Sequence, residues 1–211
     1  MHGCQGEQSL FARLKAQYQQ AVMAVREGSL SDEELMLAVC RGDQTAFAQL
    51  YRRYQQKLYN FALRYTGDAN TAEEIFQETF LKVYSLRHQY EVRAAFSTLL
   101  YTIARNLCLD FLKGRERRIR TLSPLTTATA PSGDLPDLRP NPFEQLETLE
   151  REALLRRAIA ELPEPERAVL ILSRYQGLQY VEVAKILGIS VEAVKVRAHR
   201  GLKTLRARLC S

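Results

Sequence analysis

Between residues 178 and 197 the chain reads LQYVEVAKILGISVEAVKVR, and this spacing leaves few folds open. Ala184 puts a small side chain where two helices must approach closely. Gly188, four residues on, supplies the left-handed residue that ends a first helix. Ser190 then offers its hydroxyl as the N-cap of a second helix. From Lys195 to Arg208 there are six Lys/Arg plus His199 and no acidic residue. A basic helix placed after such a turn is the recognition helix of a helix-turn-helix, a unit that lies in a DNA major groove. On the second helix Val191, Val194, Ala198, Leu202, Leu205 and Leu209 step by three or four and are expected to be the buried stripe. Glu192, Lys195, Val196, His199, Arg200 and Lys203 fall on the opposite face. Lys195 and Arg200 can donate to guanine edges or phosphates, Val196 can touch a thymine methyl, and His199 can donate to either. Arg197, Lys203, Arg206 and Arg208 suit phosphates, which position without specifying.

The chain is long enough for more than this unit. It has 211 residues and a formal net charge of +6, a balance that favours a polyanionic partner. Residues 121–143 hold five of the seven prolines. No helix or strand period survives that density, so the segment is expected to be a flexible linker between a front domain at about 31–118 and a back domain at about 144–209.

The front domain reads as helices throughout. Ser31-Asp32-Glu33-Glu34 opens one with a cap and early acids, and Gly42 closes it. Phe47, Leu50, Tyr51, Tyr54, Leu58, Phe61, Ala62 and Tyr65 carry a second helical period that ends at Gly67. A third helix is predicted over about 71–86, an irregular stretch over 87–94 and a fourth helix over about 95–113. In the back domain helices are expected up to about Ala160 and from about Pro165 to Tyr175. No strand is convincing anywhere, so the fold class is all-α with two helical domains. Residues 1–30 have a helical period too, which suits either a docked helix or a frayed tail.

On the third helix Glu73, Glu74, Gln77, Glu78 and Leu81 share one face. The residues alone leave two readings, an ordinary solvated face or a docking strip for a basic protein partner. The fourth helix ends in Lys113-Gly114-Arg115-Glu116-Arg117-Arg118-Ile119-Arg120, five cations in eight residues. Aromatic residues precede them, and cations with interleaved aromatics suit unpaired bases. Phe96 and Tyr101 are expected in the core, whereas Tyr90 and the loop Glu91-Val92-Arg93-Ala94 are the exposed candidates.

Several function classes are disfavoured. No Gly-rich phosphate loop, G-x-S-x-G or H-E-x-x-H is present, so no catalytic residue is assigned. Four scattered cysteines without a C-x-x-C pair, and three histidines, argue against a metal site or other cofactor. Cys40 and Cys108 are expected to be core thiols. No apolar run reaches membrane-spanning length. The first residues lack the pattern of a secretory signal, which points to the cytoplasm.

Three segments in order resemble the sigma-70 family of RNA polymerase sigma factors, in its extracytoplasmic-function (ECF) group. Residues 68–84, DANTAEEIFQETFLKVY, resemble region 2.2. Residues 96–110, FSTLLYTIARNLCLD, resemble the part that melts and reads the −10 element. Residues 162–205 resemble region 4, which reads the −35 element. The resemblance implies a sigma-2 domain at 31–118, a linker at 119–143 and a sigma-4 domain at 144–211. It implies no enzymatic activity, promoter-specific initiation of a stress or envelope-response regulon, and three kinds of partner. These are core RNA polymerase (the coiled coil of its largest subunit and its flap), promoter DNA and an anti-sigma factor. Carried over by position, Glu73, Glu74, Gln77, Glu78 and Leu81 would dock on polymerase. Tyr90, Glu91, Arg93, Ala94, Arg105 and Asn106 would meet the −10 element, the loop capturing a flipped base. Lys195, Val196, Arg197, His199, Arg200 and Lys203 would meet the −35 element. Leu99 stands where the family usually has Trp. The rival reading of the same motif is a stand-alone helix-turn-helix regulator acting without polymerase.

Overall fold

The computed structural model describes residues 30–92, 94–121 and 153–209. The extension at 1–29, most of the linker, and Cys4 and Cys210 lie outside the described residues, as do the readings made of them.

Four helices build the front half: α1 (Asp32–Cys40), α2 (Gln44–Thr66), α3 (Ala69–Ser85) and α4 (Phe96–Thr121). Short-range chemistry starts and stops them. Ser31 accepts from the Glu34 amide at 3.2 Å while its own amide donates to Glu34 Oε2 at 2.7 Å, a reciprocal capping box. Asp43 caps α2 by accepting from the amides of Thr45 and Ala46. Gly67 ends that helix at φ 73°, in the left-handed region that a side chain resists. Asp68 immediately caps α3 through the Thr71 amide. A single 3₁₀ turn, Leu86–Gln89, then leads into the irregular stretch.

The period-3.6 aromatics of α2 meet those of α3 and α4. Tyr51 packs edge-on against Phe76, Phe47 against Phe80, and Tyr54 against Phe96. Rings in such T-shaped pairs set a positive edge against a negative face, a gain beyond area burial. Phe61, Phe80, Phe96 and Tyr101 are at most 1% exposed. Cys108 is buried, as expected, and burial pushes its thiol up to about 12. Cys40 is half-buried and donates to the Arg87 carbonyl at 2.9 Å.

Helix α4 runs eight residues beyond the expected end at Lys113 and takes the first residues assigned to the linker with it. Gly114 alone does not stop a helix; it costs about 1 kcal/mol relative to Ala, and no proline follows until Pro124.

The back half comprises α5 (153–160), α6 (Glu164–Leu170), α7 (Tyr180–Leu187) and α8 (Val191–Leu209). Pro165 sits in the first turn of α6, where its missing N–H is not needed. Helix α6 widens into a π turn at Ile171–Tyr175, and Gly177 turns the chain at φ 70°. Gly188 closes α7 at φ 63°, and Ser190 accepts from the Ala193 amide at 3.1 Å to cap α8. Helices α7 and α8 are therefore the two limbs of the expected helix-turn-helix.

The buried stripe of α8 differs in part from expectation. Val194, Ala198 and Leu205 are buried, but Leu202 and Leu209 are 41% and 48% exposed. Gly201 is buried in place of Leu202. Its missing side chain lets α8 close on α6, where a β-carbon would lie 2.8 Å from Leu170 Cδ1. That contact puts Gly201, not Leu202, in the stripe while Val194, Ala198 and Leu205 keep their places.

Candidate nucleic-acid and polymerase interfaces

Three separate surfaces collect the residues singled out in the sequence. The first is the outer face of α8. Capping by Ser190 and burial of Val194 and Ala198 fix the rotation of this helix, which leaves Lys195, Val196, His199, Arg200 and Lys203 exposed together. Arg197 lies at the margin, half-buried. Val196, 49% exposed, is an apolar side chain held in water between cations. Such a face offers donors for base edges and phosphates and one apolar contact for a methyl group.

The second surface lies on α3. Ile75, Phe76, Phe80 and Val83 are buried, which turns Glu73, Glu74 and Glu78 outward, with Gln77 and Leu81 half-buried beside them. Gln77 Nε2 donates to Glu73 at 2.8 Å, and Lys82 pairs with Glu78 at 3.1 Å. Glu74 makes the strip acidic without a described partner of its own. An exposed i,i+4 ion pair contributes little to stability, so the strip is free to exchange its partners.

The third is a groove of about 420 Å³ where the irregular stretch meets the start of α4. Leu86, Tyr90, Glu91, Ala94, Thr98 and Leu99 line it. Its lining is largely apolar. The Tyr90 hydroxyl and Thr98 Oγ1 are buried without hydrogen-bond partners among the described residues, and burial pushes the Tyr90 phenol up. An unpaired buried hydroxyl costs about 1–3 kcal/mol, so it is a group with something to gain from a ligand. Beside the groove, Glu33 of α1 holds the first turn of α4 by accepting from the Phe96 amide at 2.7 Å. Arg93 lies outside the described residues.

Two further −10 candidates sit down α4. Asn106 is exposed, but Arg105 faces the back half, where its Nη2 donates to Glu164 at 3.0 Å. The Tyr65 hydroxyl donates to the same carboxylate oxygen, and desolvation together with that carboxylate raises the phenol's pKa. No local pattern brings Glu164, Tyr65 and Arg105 together, because the three stand on separate helices. Thr98 and Leu99 as groove walls, and Glu33 as a cap for α4, were equally invisible.

Among the described residues no three His, Cys, Asp or Glu side chains are grouped so as to hold a metal. No described helix is long and apolar enough to cross a membrane.

The arrangement has counterparts. The model of sigma-70 region 2 matches residues 50–118, and that of sigma-70 region 4 matches residues 152–205. The ECF RNA polymerase sigma factor SigW of Bacillus subtilis (strain 168) is 32% identical over 161 residues, covering 72% of this chain and 83% of that protein. SigX of the same organism is 34% identical over 150 residues, with 71% and 76% covered. Among solved structures, that of CnrH in complex with the cytosolic domain of CnrY matches with a TM-score of 0.64 at 22% identity, covering 84% of this chain and 96% of that one. RpoE of Bartonella quintana, solved with the anti-sigma factor NepR, matches at 0.63 and 21%, covering 77% and 96%. These two likenesses concern the fold. With two helical halves, a capped basic recognition helix and both region models matched in order, the chain belongs to the sigma-70 family, in its ECF group of RNA polymerase sigma factors.

Proposed function

We propose that the three surfaces divide the work of a promoter-specificity subunit among them. Glu73, Glu74, Gln77, Glu78 and Leu81 on α3 dock on a basic coiled coil of the polymerase's largest subunit. Tyr90, Glu91, Arg93 and Ala94 receive a base extruded from the −10 element, while Arg105 and Asn106 hold its backbone. Lys195, Val196, Arg197, His199, Arg200 and Lys203 read the −35 element. In this scheme residues 31–118 act as the sigma-2 domain, 119–143 as the linker and 144–211 as the sigma-4 domain, which meets the polymerase flap.

One observation carries the reading: five recognition residues of α8 share one exposed face, on a helix whose start and rotation are fixed by a cap and a buried stripe. The groove at the start of α4 supports the −10 assignment. Flipping suits a pocket with apolar walls and unpaired hydroxyls, since A·T-rich steps unstack at modest cost. The protein itself does no bond-making chemistry in this scheme and works in the cytoplasm, where its template is. An anti-sigma factor covering the α3 strip or the α8 face is the expected regulator, as CnrH and RpoE were each solved with such a partner or a partner's cytosolic domain.

The test is run-off transcription with core RNA polymerase on a library of promoter fragments, comparing the parent with a Glu74→Lys/Gln77→Lys variant. Transcripts from the parent and none from the variant are expected. Specific duplex binding by the parent without any transcript would instead favour a stand-alone regulator.

A further inference from the structure

The groove at the start of α4 opens beside the point where residues 1–29 join the described chain. Leu30, exposed, directly precedes Ser31 and α1. Within the first turn of α1, Glu33 bonds the amide of Phe96, the first residue of α4. Burial raises the Tyr90 phenol most, and the carboxylates of Glu33 and Asp32 add to that, so both stand near it. The groove itself is incomplete in two respects. Leu86 on its lining and Val92 in the adjoining stretch leave apolar surface in water. Tyr90 Oη and Thr98 Oγ1 are shut off from water without a hydrogen-bond partner among the described residues, and Thr98 is only 9% exposed. An apolar segment with free carbonyls answers both.

We propose that residues 21–25 turn back over the start of α1 and fill this groove, with Val22 and Val25 against its apolar lining. Several features of the chain favour this occupant. These residues read AVMAV, and Val22 and Val25 stand three apart, on one face of a helix. Gly28 follows, a residue type that ends helices in the left-handed conformation and redirects the chain. A helix ending there leaves its last carbonyls unpaired, and those are acceptors for the hydroxyls of Tyr90 and Thr98. The reach is ample, because the five residues from Val25 to Leu30 span up to about 18 Å. Charge fits as well: Arg26 follows the apolar run, while Glu34 and Glu91 are exposed at the start of α1 and on the groove. An extruded base and residues 21–25 then claim one groove, and each excludes the other. That competition rests on the −10 assignment of Tyr90, Glu91, Arg93 and Ala94; the seating itself does not.

The experiment uses the full chain. A photoreactive benzophenone side chain placed at Val22 should crosslink, within monomers, to peptides of residues 86–99. Hydrogen exchange is compared among the parent, Val22→Asp/Val25→Asp and Leu86→Glu. Residues 21–25 and the first turn of α4 should exchange several-fold faster in both variants than in the parent, with α8 unchanged in all three. Crosslinks that fall elsewhere, or only between two copies of the chain, overturn the seating. So does exchange at residues 21–25 that is equally fast in all three proteins. Holoenzymes of the parent and of Val22→Asp/Val25→Asp are then offered a panel of single-stranded oligonucleotides. The variant holoenzyme should bind at least one of them several-fold more tightly than the parent holoenzyme does. Equal affinity on every member overturns the competition. The crosslinks and the exchange read the chain without DNA, so they stand or fall independently of the promoter assignments.

Discussion

A β-carbon on Gly201 would lie 2.8 Å from Leu170 Cδ1 and 3.3 Å from Leu170 Cγ. Leu170 is itself 2% exposed, so it cannot swing into water to make room. Gly201→Val should destabilise the back half by about 1–3 kcal/mol through overpacking. Leu170→Ala should cost about 2–5 kcal/mol through the cavity it leaves. The double variant should lose clearly less than the sum, because each change relieves the other. Urea titrations of the four proteins measure the coupling; strict additivity would mean that the two residues do not touch in solution.

Glu33 caps a helix that begins 63 residues later. Its carboxylate accepts from Phe96 at 2.7 Å, serving α4 as an N-cap side chain serves its own helix. Glu33→Ala should cost about 0.5–2 kcal/mol, the usual loss for a cap. It should also loosen the groove over the first turn of α4, seen as faster hydrogen exchange at residues 94–99 with the exchange of α8 unchanged.

Acid should weaken the front half through its two aspartate caps. The Thr45 hydroxyl donates to Asp43 at 2.7 Å, and the Thr71 hydroxyl to Asp68 at 2.6 Å. These bonds hold both carboxyls below the ordinary value of 3.8. A folded value below the unfolded one means stabilisation that is present above pH 3.8 and lost as pH falls through the depressed values. Asparagine caps nearly as well and does not titrate. Asp43→Asn/Asp68→Asn should therefore flatten the acid limb of a stability–pH curve while leaving neutral stability almost unchanged. An acid limb as steep as the parent's would place the proton uptake elsewhere.

The α8 face should separate into readers and anchors once the promoter is known. Arg200→Ala should cost about 1–3 kcal/mol and relax preference at one base pair, whereas Lys203→Ala should weaken all sequences alike and lower the salt slope by about 1. Holoenzyme binding to a promoter series at several salt concentrations distinguishes them. Equal losses on every sequence for both variants would remove Arg200 from the readers.

The helices and their ends were legible in the sequence because the forces that set them act over three or four residues. Ser31 with Glu34, Gly67, Gly188 and Ser190 each do their work within one turn of where they stand. The same short range made the acidic strip of α3 and the basic face of α8 readable, because a 3.6-residue period assigns a face before any partner is known. What failed was of another kind. Leu202 looked as apolar as its neighbours, and only the approach of α8 to α6 through Gly201 turned it outward. The end of α4 depended on a weak local signal at Gly114, and the helix passed through it. Sequence by itself thus determined the all-α class, the two halves and which residues share the exposed faces of α3 and α8. Tertiary structure alone decided that Glu33 would cap α4, that Thr98 and Leu99 would wall a groove, and that Glu164 would meet Tyr65 and Arg105. The Glu33 and Glu164 bonds join residues from 59 to 99 positions apart, and no local pattern encodes which of many carboxylates will be carried to which donor.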